Sequence, residues 1–184
     1  GSRRAEIRYI APPFLQAAAL LHRERPALRF VLPAAPGLAP LIRPLVAEHA
    51  PGVPVQLVEG QSHAVLAACG VTLTATGTAT LEAALFKRPM VVGYAMHALS
   101  WAIMKRMRYQ PWVALPNILA REFVVPELLQ HDCRAGPLAA AVRRWLDDDA
   151  ARARVAARFD EMHHSLRRDT ARAATDAVAQ VLQA

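Results

Sequence analysis

Short apolar runs of strand length alternate along this chain with longer stretches whose apolar positions recur at helical spacing. Residues 4–24 read as a helix that Pro12-Pro13 interrupts or restarts. Leu28-Arg-Phe-Val-Leu32 predicts a short strand, and Pro33, Pro36 and Gly37 a turn. Pro40 and Pro44 suit only the first turns of a helix reaching about Ala50. Val53–Val58 alternates as a strand, bounded by Pro54 and Gly60. Then follow a short helix at Ser62–Cys69, a strand at Val71–Ala75, a helix at Thr78–Phe86 and a strand at Met90–Gly93. Met96–Met107 reads as a helix and Trp112–Leu115 as a strand. From about Gly136 the pattern turns all-helical. Asp147-Asp-Asp149 marks the start of a helix with an apolar face of Val155, Phe159, Met162 and Leu166, and a last helix covers Thr170–Leu182.

This alternation predicts an α/β fold: a parallel sheet covered on both faces, with ligands outside the carboxyl ends of the strands. Residues 1–135 form that part and residues 136–184 a helical segment. No internal repeat is visible. With 184 residues, 54% of them hydrophobic and 20% charged, the chain can bury a real core and is not of the disordered class. The net charge of +7 is unevenly placed: residues 1–142 carry 14 Lys/Arg against 8 Asp/Glu, and residues 143–184 carry 8 against 7. The basic excess of the α/β part favours anionic partners, although solubility alone explains it equally well. Its aromatic residues are not interleaved with the arginines, so no nucleic-acid partner is expected. Cys69 and Cys133 supply neither a disulfide framework nor metal-ligand spacing, which suits a reduced cytosolic setting. No signal-peptide pattern is present, and the chain opens Gly-Ser rather than Met, as a piece of a longer protein would.

Thr74-Ala-Thr-Gly-Thr-Ala-Thr-Leu-Glu82 carries the most chemical information. A strand, a turn of small residues and a helix opening on bare amides make a site for a phosphate anion. Thr76, Gly77 and Thr78 keep the turn free of bulk, so phosphates can approach the main chain. Glu82 lies one helical turn after Thr78, where a carboxylate can hold a pair of sugar hydroxyls. This is the layout of a nucleotide-sugar site. Read alone, the stretch is weak and reads more readily as an ordinary capped helix start, since Thr/Ala-rich helix starts are common.

Its neighbours extend the reading. Gly1-Ser-Arg-Arg-Ala-Glu-Ile7, Gly60-Gln-Ser62, the Thr74–Glu82 stretch, Lys87-Arg-Pro-Met-Val-Val-Gly-Tyr94, Leu115-Pro-Asn-Ile-Leu-Ala120 and Val125-Pro-Glu-Leu-Leu-Gln130 occur in this order. Together they resemble the C-terminal half of the lipid-A-disaccharide synthase family, over essentially the whole chain. The resemblance implies the Rossmann-like, UDP-holding half of a two-domain (GT-B) glycosyltransferase. The family transfers 2,3-diacylglucosamine from UDP-2,3-diacylglucosamine to 2,3-diacylglucosamine 1-phosphate, with inversion, to give a β-1,6-linked precursor of lipid A. It works as a peripheral protein on the cytoplasmic face of the bacterial inner membrane. The first strand of this half would precede the Gly-Ser-Arg turn. The sheet is therefore expected to lack a strand, leaving an apolar edge exposed or covered by a partner.

The leaving pyrophosphate must be stabilised as its charge grows. GT-B enzymes generally do this without a metal, and no Asp-x-Asp is present, so neither metal nor cofactor is expected. Candidates are the amides around Gly77 and Thr78, the hydroxyls of Thr76 and Thr78, and, through the resemblance, Arg3. Asn117, in a loop after the Trp112–Leu115 strand, is a supporting candidate at the sugar or phosphate. Gln61 and Ser62 open a helix, where they can meet the uracil edge or cap; Ser62 reads as a cap. The histidines do not read as catalytic: His63 has only Ser62 beside it, and His163-His164 lack a third ligand. The general base of the transfer belongs, by resemblance, to the absent N-terminal half. Two places depart from the family. Arg121-Glu122 stands where Gly-Arg is usual, and Ala95 and Ala98 replace a basic residue and a Pro. In the Met96–Met107 region, Trp101, Ile103 and Met104 lie among Lys105, Arg106 and Arg108. They form either an interfacial helix at a membrane or a core helix with a basic last turn. Alternative functions are a non-catalytic UDP-recognising, membrane-associated module, another GT-B transferase or a UDP-sugar epimerase, though acid/base residues for an epimerase are not found.

Overall fold

The structure, a computed structural model, describes residues 4–107 and 109–183. Its elements run α1 (Arg4–Glu24), β1 (Phe30–Ala34), α2 (Ala39–His49), β2 (Val55–Glu59), α3 (Ser62–Ala68), β3 (Thr72–Thr74), α4 (Thr78–Leu85) and β4 (Met90–Tyr94). Then come α5 (Ala98–Met107), α6 (Leu115–Ala120), β5 (Glu127–Leu129), a 3-10 turn at Gln130–Asp132, α7 (Ala135–Asp147), α8 (Asp149–Leu166) and α9 (Thr170–Gln183). Every strand pairing is parallel, and the result is a Rossmann-like α/β architecture. The strands form two ladders, β1–β2 and β3–β4–β5, rather than one sheet. Phe30 lies opposite Val55, Leu73 opposite Val91 and Gly93 opposite Leu128.

Burial follows from the residue types. β4 is the central strand of its ladder, so both its faces are covered: Met90, Val91 and Val92 are all fully buried. Helices α1 and α7 pack together across one face, and a side chain at Gly93 would force Phe14 to shift. A Cβ at this position would lie 2.5 Å from Phe14 Cε1. On the other face Phe159 and Val155 of α8 join Met90, Val92, Ala83 and Ala84. A third cluster, Ile7, Ala34, Leu38 and Ile42, lies between α1, β1 and α2. Asp148 caps α8 by accepting from the Ala151 amide at 2.7 Å.

Several expected boundaries move. Helix α1 runs through Pro12-Pro13 without a break, because its packing on α2 and α7 offsets the lost amide donors. Pro33 falls inside β1 and not in the following turn, which centres on Gly37 with φ +76°. Leu166, the last residue of α8, is exposed, so the buried face of that helix is Val155, Phe159 and Met162. Trp112–Leu115 is not a strand. Ala114 is the N-cap of α6, whose first turn holds Pro116, and the ladder takes Glu127–Leu129 instead. No described helix is long and apolar enough to cross a membrane.

Candidate functional site

The turn between β3 and α4 has the form that the sequence predicts. Gly77 is the N-cap of α4 at φ +111° and ψ −161°, a region that L-residues rarely enter. The direction a side chain would take there is open space, with nothing within 4 Å of where a Cβ would stand. No side chain caps this helix. The Thr80 amide bonds Gly77 O at 3.1 Å. The amides of Thr78 and Ala79, in the first turn, have no intrahelical acceptor by geometry. Gly77, Thr78 and Ala79 are exposed and Thr76 half-buried, so the positive end of α4 meets solvent.

Thr80, one turn in, is fully buried and anchors the turn from below. Its hydroxyl donates to Gly77 O at 2.8 Å and accepts from the Leu115 amide at 3.1 Å. This clasp joins the start of α4 to the start of α6. Beneath it lies a second polar cluster. The Glu127 carboxylate accepts from the Val113 amide at 3.0 Å, the Ala114 amide at 2.9 Å and Asn117 Nδ2 at 2.8 Å.

Asn117 is the centre of that cluster and not a loop residue. It sits in α6, fully buried. Nδ2 donates also to Val125 O, and Oδ1 accepts from the amides of Val124 and Val125, each at 2.9 Å. A primary amide can make about four such bonds, and all four are used internally. No capacity remains for a sugar or phosphate, so the site role expected of Asn117 is replaced by a structural one. Glu127 and Thr80 were not predicted, because nothing local in the sequence announces partners so far along the chain.

Of the residues at the start of α3, it is His63, next to Ser62, that reaches Glu82. Helix α3 begins beside α4, and His63 Nε2 lies 3.5 Å from Glu82 Oε2. The His63 ring leans on Phe86, with centroids 5.6 Å apart. Glu82 is 37% exposed at its side chain, so its carboxylate is accessible beside the turn. Gln61 and Ser62 are both exposed. The N-cap of α3 is Gln61, and it makes no side-chain capping bond. Ser62 is already the first helical residue, which corrects its expected capping role: from there its hydroxyl is one position too late to serve the first turn. The far ends of the two helices are tied by Arg88, whose guanidinium donates to Leu66 O at 2.9 Å and also to Ala67 O.

Other expected residues are placed as follows. Arg3 and Arg108 lie outside the described residues. On α5 no residue is fully buried: Ile103 is exposed, Trp101 and Met104 are half-buried, and Lys105 and Arg106 are exposed. The Arg121–Glu122 departure has a visible effect. Arg121 takes the left-handed position that ends α6, at φ +56°, and Glu122 pairs with Arg158 at 3.1 Å, so an acid stands on this surface. His163 Nδ1 sits 2.7 Å from Lys87 Nζ, and His164 Nδ1 2.9 Å from Asp160 O. Among the described residues no group of three His, Cys, Asp or Glu is placed to hold a metal ion. Burial pushes the Cys133 thiol up to about 11, so it is not a nucleophile at neutral pH.

An uncapped helix start, an accessible acid one turn away and a second helix start alongside are thus grouped beyond parallel strands. Comparison with known proteins gives the group a context. The lipid-A-disaccharide synthetase family matches residues 1–181. The chain belongs to this family. The lipid-A-disaccharide synthase of Verminephrobacter eiseniae is 52% identical over 99% of this chain and 48% of its own length. That of Albidiferax ferrireducens is 52% identical over 100% of this chain and 48% of its own length. The synthase of Paraburkholderia xenovorans is 46% identical over 100% of this chain and 47% of its own length. The chain therefore spans about half the length of the curated synthases it matches, and corresponds to their C-terminal half.

Proposed function

We propose that this chain is the donor-binding half of a glycosyltransferase that moves 2,3-diacylglucosamine from UDP to 2,3-diacylglucosamine 1-phosphate, with inversion. The observation that carries the reading is the exposed, uncapped start of α4 at Gly77, with Glu82 one turn along. The amides of Thr78 and Ala79 and the hydroxyls of Thr76 and Thr78 would hold the pyrophosphate. In the transition state they would meet the negative charge growing on the leaving group. Glu82 would accept from the ribose hydroxyls, exchanging its 3.5 Å contact with His63 for shorter bonds to the ligand. Gln61 and Ser62, on the next helix start, would face the uracil. Arg3 would add a positive charge to the pyrophosphate. No metal is needed in this scheme, because the helix end and basic side chains supply the charge.

The acceptor site and the general base would lie in the N-terminal half of the enzyme. The membrane would be met by α5, as a peripheral contact on the cytoplasmic side. Leu99, Ile103 and Met107 recur one turn apart and are 66%, 55% and 75% exposed. Lys105, Arg106 and Arg108 stand beside them in sequence, suited to anionic headgroups. Isothermal calorimetry with UDP, with and without EDTA, tests the donor reading. Metal-independent binding is expected, tighter for UDP than for inorganic pyrophosphate. Equal affinity for both ligands, or a strict metal requirement, would refute it.

A further inference from the structure

Helices α3 and α4 meet through a few side chains. His63 and Leu66 lie one turn apart on α3, on the same face. Leu66, Ala83 and Ala84 share one apolar cluster, and Phe86 packs against it. Backbone bonds fix the end of α4 that carries Phe86. The Phe86 amide donates to Glu82 O at 3.0 Å, the Lys87 amide to Ala84 O at 2.9 Å and the Arg88 amide to Ala83 O at 3.0 Å. The His63 imidazole rests on this phenyl ring, with centroids 5.6 Å apart and planes inclined at 45°. Its Nε2 edge lies 3.5 Å from Glu82 Oε2, longer than a good hydrogen bond. The rest of the ring is open, since 72% of the side chain is exposed. An aromatic neighbour therefore aims His63 more firmly than a polar one does, and its polar contact is easily given up.

We propose that His63 contacts the nucleobase of the donor, its imidazole ring serving as a stacking shelf. The proposal rests on the donor reading of the Gly77 turn and of Glu82. A ribose whose hydroxyls bond Glu82 takes the place of His63 Nε2 at that carboxylate. The nucleobase hangs on C1′, next to the carbon that carries the 2′-hydroxyl, so it emerges beside the ring just displaced. Released from Glu82, the imidazole keeps its seat on Phe86 and offers a flat π-face to a pyrimidine. Such stacking is tolerant of sequence, because every base has a π-face. His63 thus supplies grip on the base, and discrimination for uracil is left to the polar Gln61 and Ser62. An imidazolium acting on the pyrophosphate instead would show itself in pyrophosphate affinity, which stacking leaves untouched.

The test compares His63→Ala and His63→Phe with the unsubstituted chain, titrating each with UDP, ribose 5-phosphate and inorganic pyrophosphate by NMR. His63→Ala should lose UDP affinity by about tenfold and keep its affinity for ribose 5-phosphate and pyrophosphate. His63→Phe, which retains a ring but no polar edge, should bind UDP within about threefold of the unsubstituted chain. Equal losses of UDP affinity in the two variants would overturn the proposal, since the polar edge would then be what matters. So would a loss for pyrophosphate or ribose 5-phosphate that matches the loss for UDP. Undiminished UDP binding by His63→Ala, where Glu82→Ala loses it, would defeat the proposal and leave the donor reading standing. UDP that binds the unsubstituted chain no more tightly than pyrophosphate would defeat the donor reading and this proposal with it.

Discussion

Replacing Asn117 with Ala should cost the protein much of its stability and leave ligand affinity in the folded state intact. The substitution removes four hydrogen bonds at a fully buried position. It strands the Val125 amide and the Val125 carbonyl and removes one bond to the Glu127 carboxylate, while the Val124 amide keeps its bond to Glu122 O at 3.1 Å. A buried group left unpaired costs roughly 1–3 kcal/mol, and costs within one cluster do not simply add, which gives about 3–5 kcal/mol in total. A domain of this size has roughly 5–15 kcal/mol of stability to lose, so the variant should be folded but fragile. Asn117→Asp should be worse, because it sets a second carboxylate oxygen against Glu127 and against Val125 O. Urea unfolding followed by fluorescence of the three tryptophans measures the loss, and UDP titration of the folded variant measures the site. A loss below about 1 kcal/mol with a collapse in UDP affinity would refute the reasoning and return Asn117 to the ligand.

Glu82→Ala should weaken UDP binding by roughly 1–3 kcal/mol in calorimetry while urea stability changes little, since the carboxylate is accessible and its His63 contact is long. Cys133 should resist thiol reagents at pH 8 until the protein unfolds, and mass spectrometry of alkylated samples checks this. Its raised value also has a sign for stability: the unfolded thiol ionises near 9 and the folded one near 11, so the Cys133 contribution is intact below pH 9 and is lost between about 9 and 11. A Lys105/Arg106/Arg108→Glu variant should lose flotation with anionic vesicles, at about 1 kcal/mol per charge, while UDP affinity persists. If the acceptor site and base lie in the N-terminal half as proposed, the 184 residues alone should form no detectable disaccharide from donor and acceptor; robust turnover would overturn that division of labour.

What could be read in advance depended on how local the cause was. Met90-Val-Val is apolar on both faces and announces a covered strand by itself. The Gly77 turn was legible because only small residues and a glycine suit that backbone. Trp112–Leu115 misled because its apolar run looks like a strand, while its amides at Val113 and Ala114 bond the Glu127 carboxylate instead of a ladder. The true strand, Glu127–Leu129, is three residues long and opens on that acid, so no period marks it. Asn117 is expected at the sugar or phosphate, but a polar residue in a Leu-Pro-Asn context has no signature that separates a buried hub from a ligand contact. The uninterrupted passage of α1 through two prolines was likewise hidden, since the stabilising contacts come from α2 and α7.

The bonds from Arg88 to the last carbonyls of α3 lie at the opposite end from Gln61, Ser62 and Gly77. The spacing between the two helices that frame the candidate site is therefore set from behind, like the pivot of a pair of tongs. The tips are open to solvent: Gln61, Ser62, His63, Gly77 and Thr78 are all exposed. Selection can exchange these tip residues for others that grip a different base or sugar without moving the pivot. Drift at Arg88 would instead loosen the spacing of the two helix starts and disturb every residue carried on them at once.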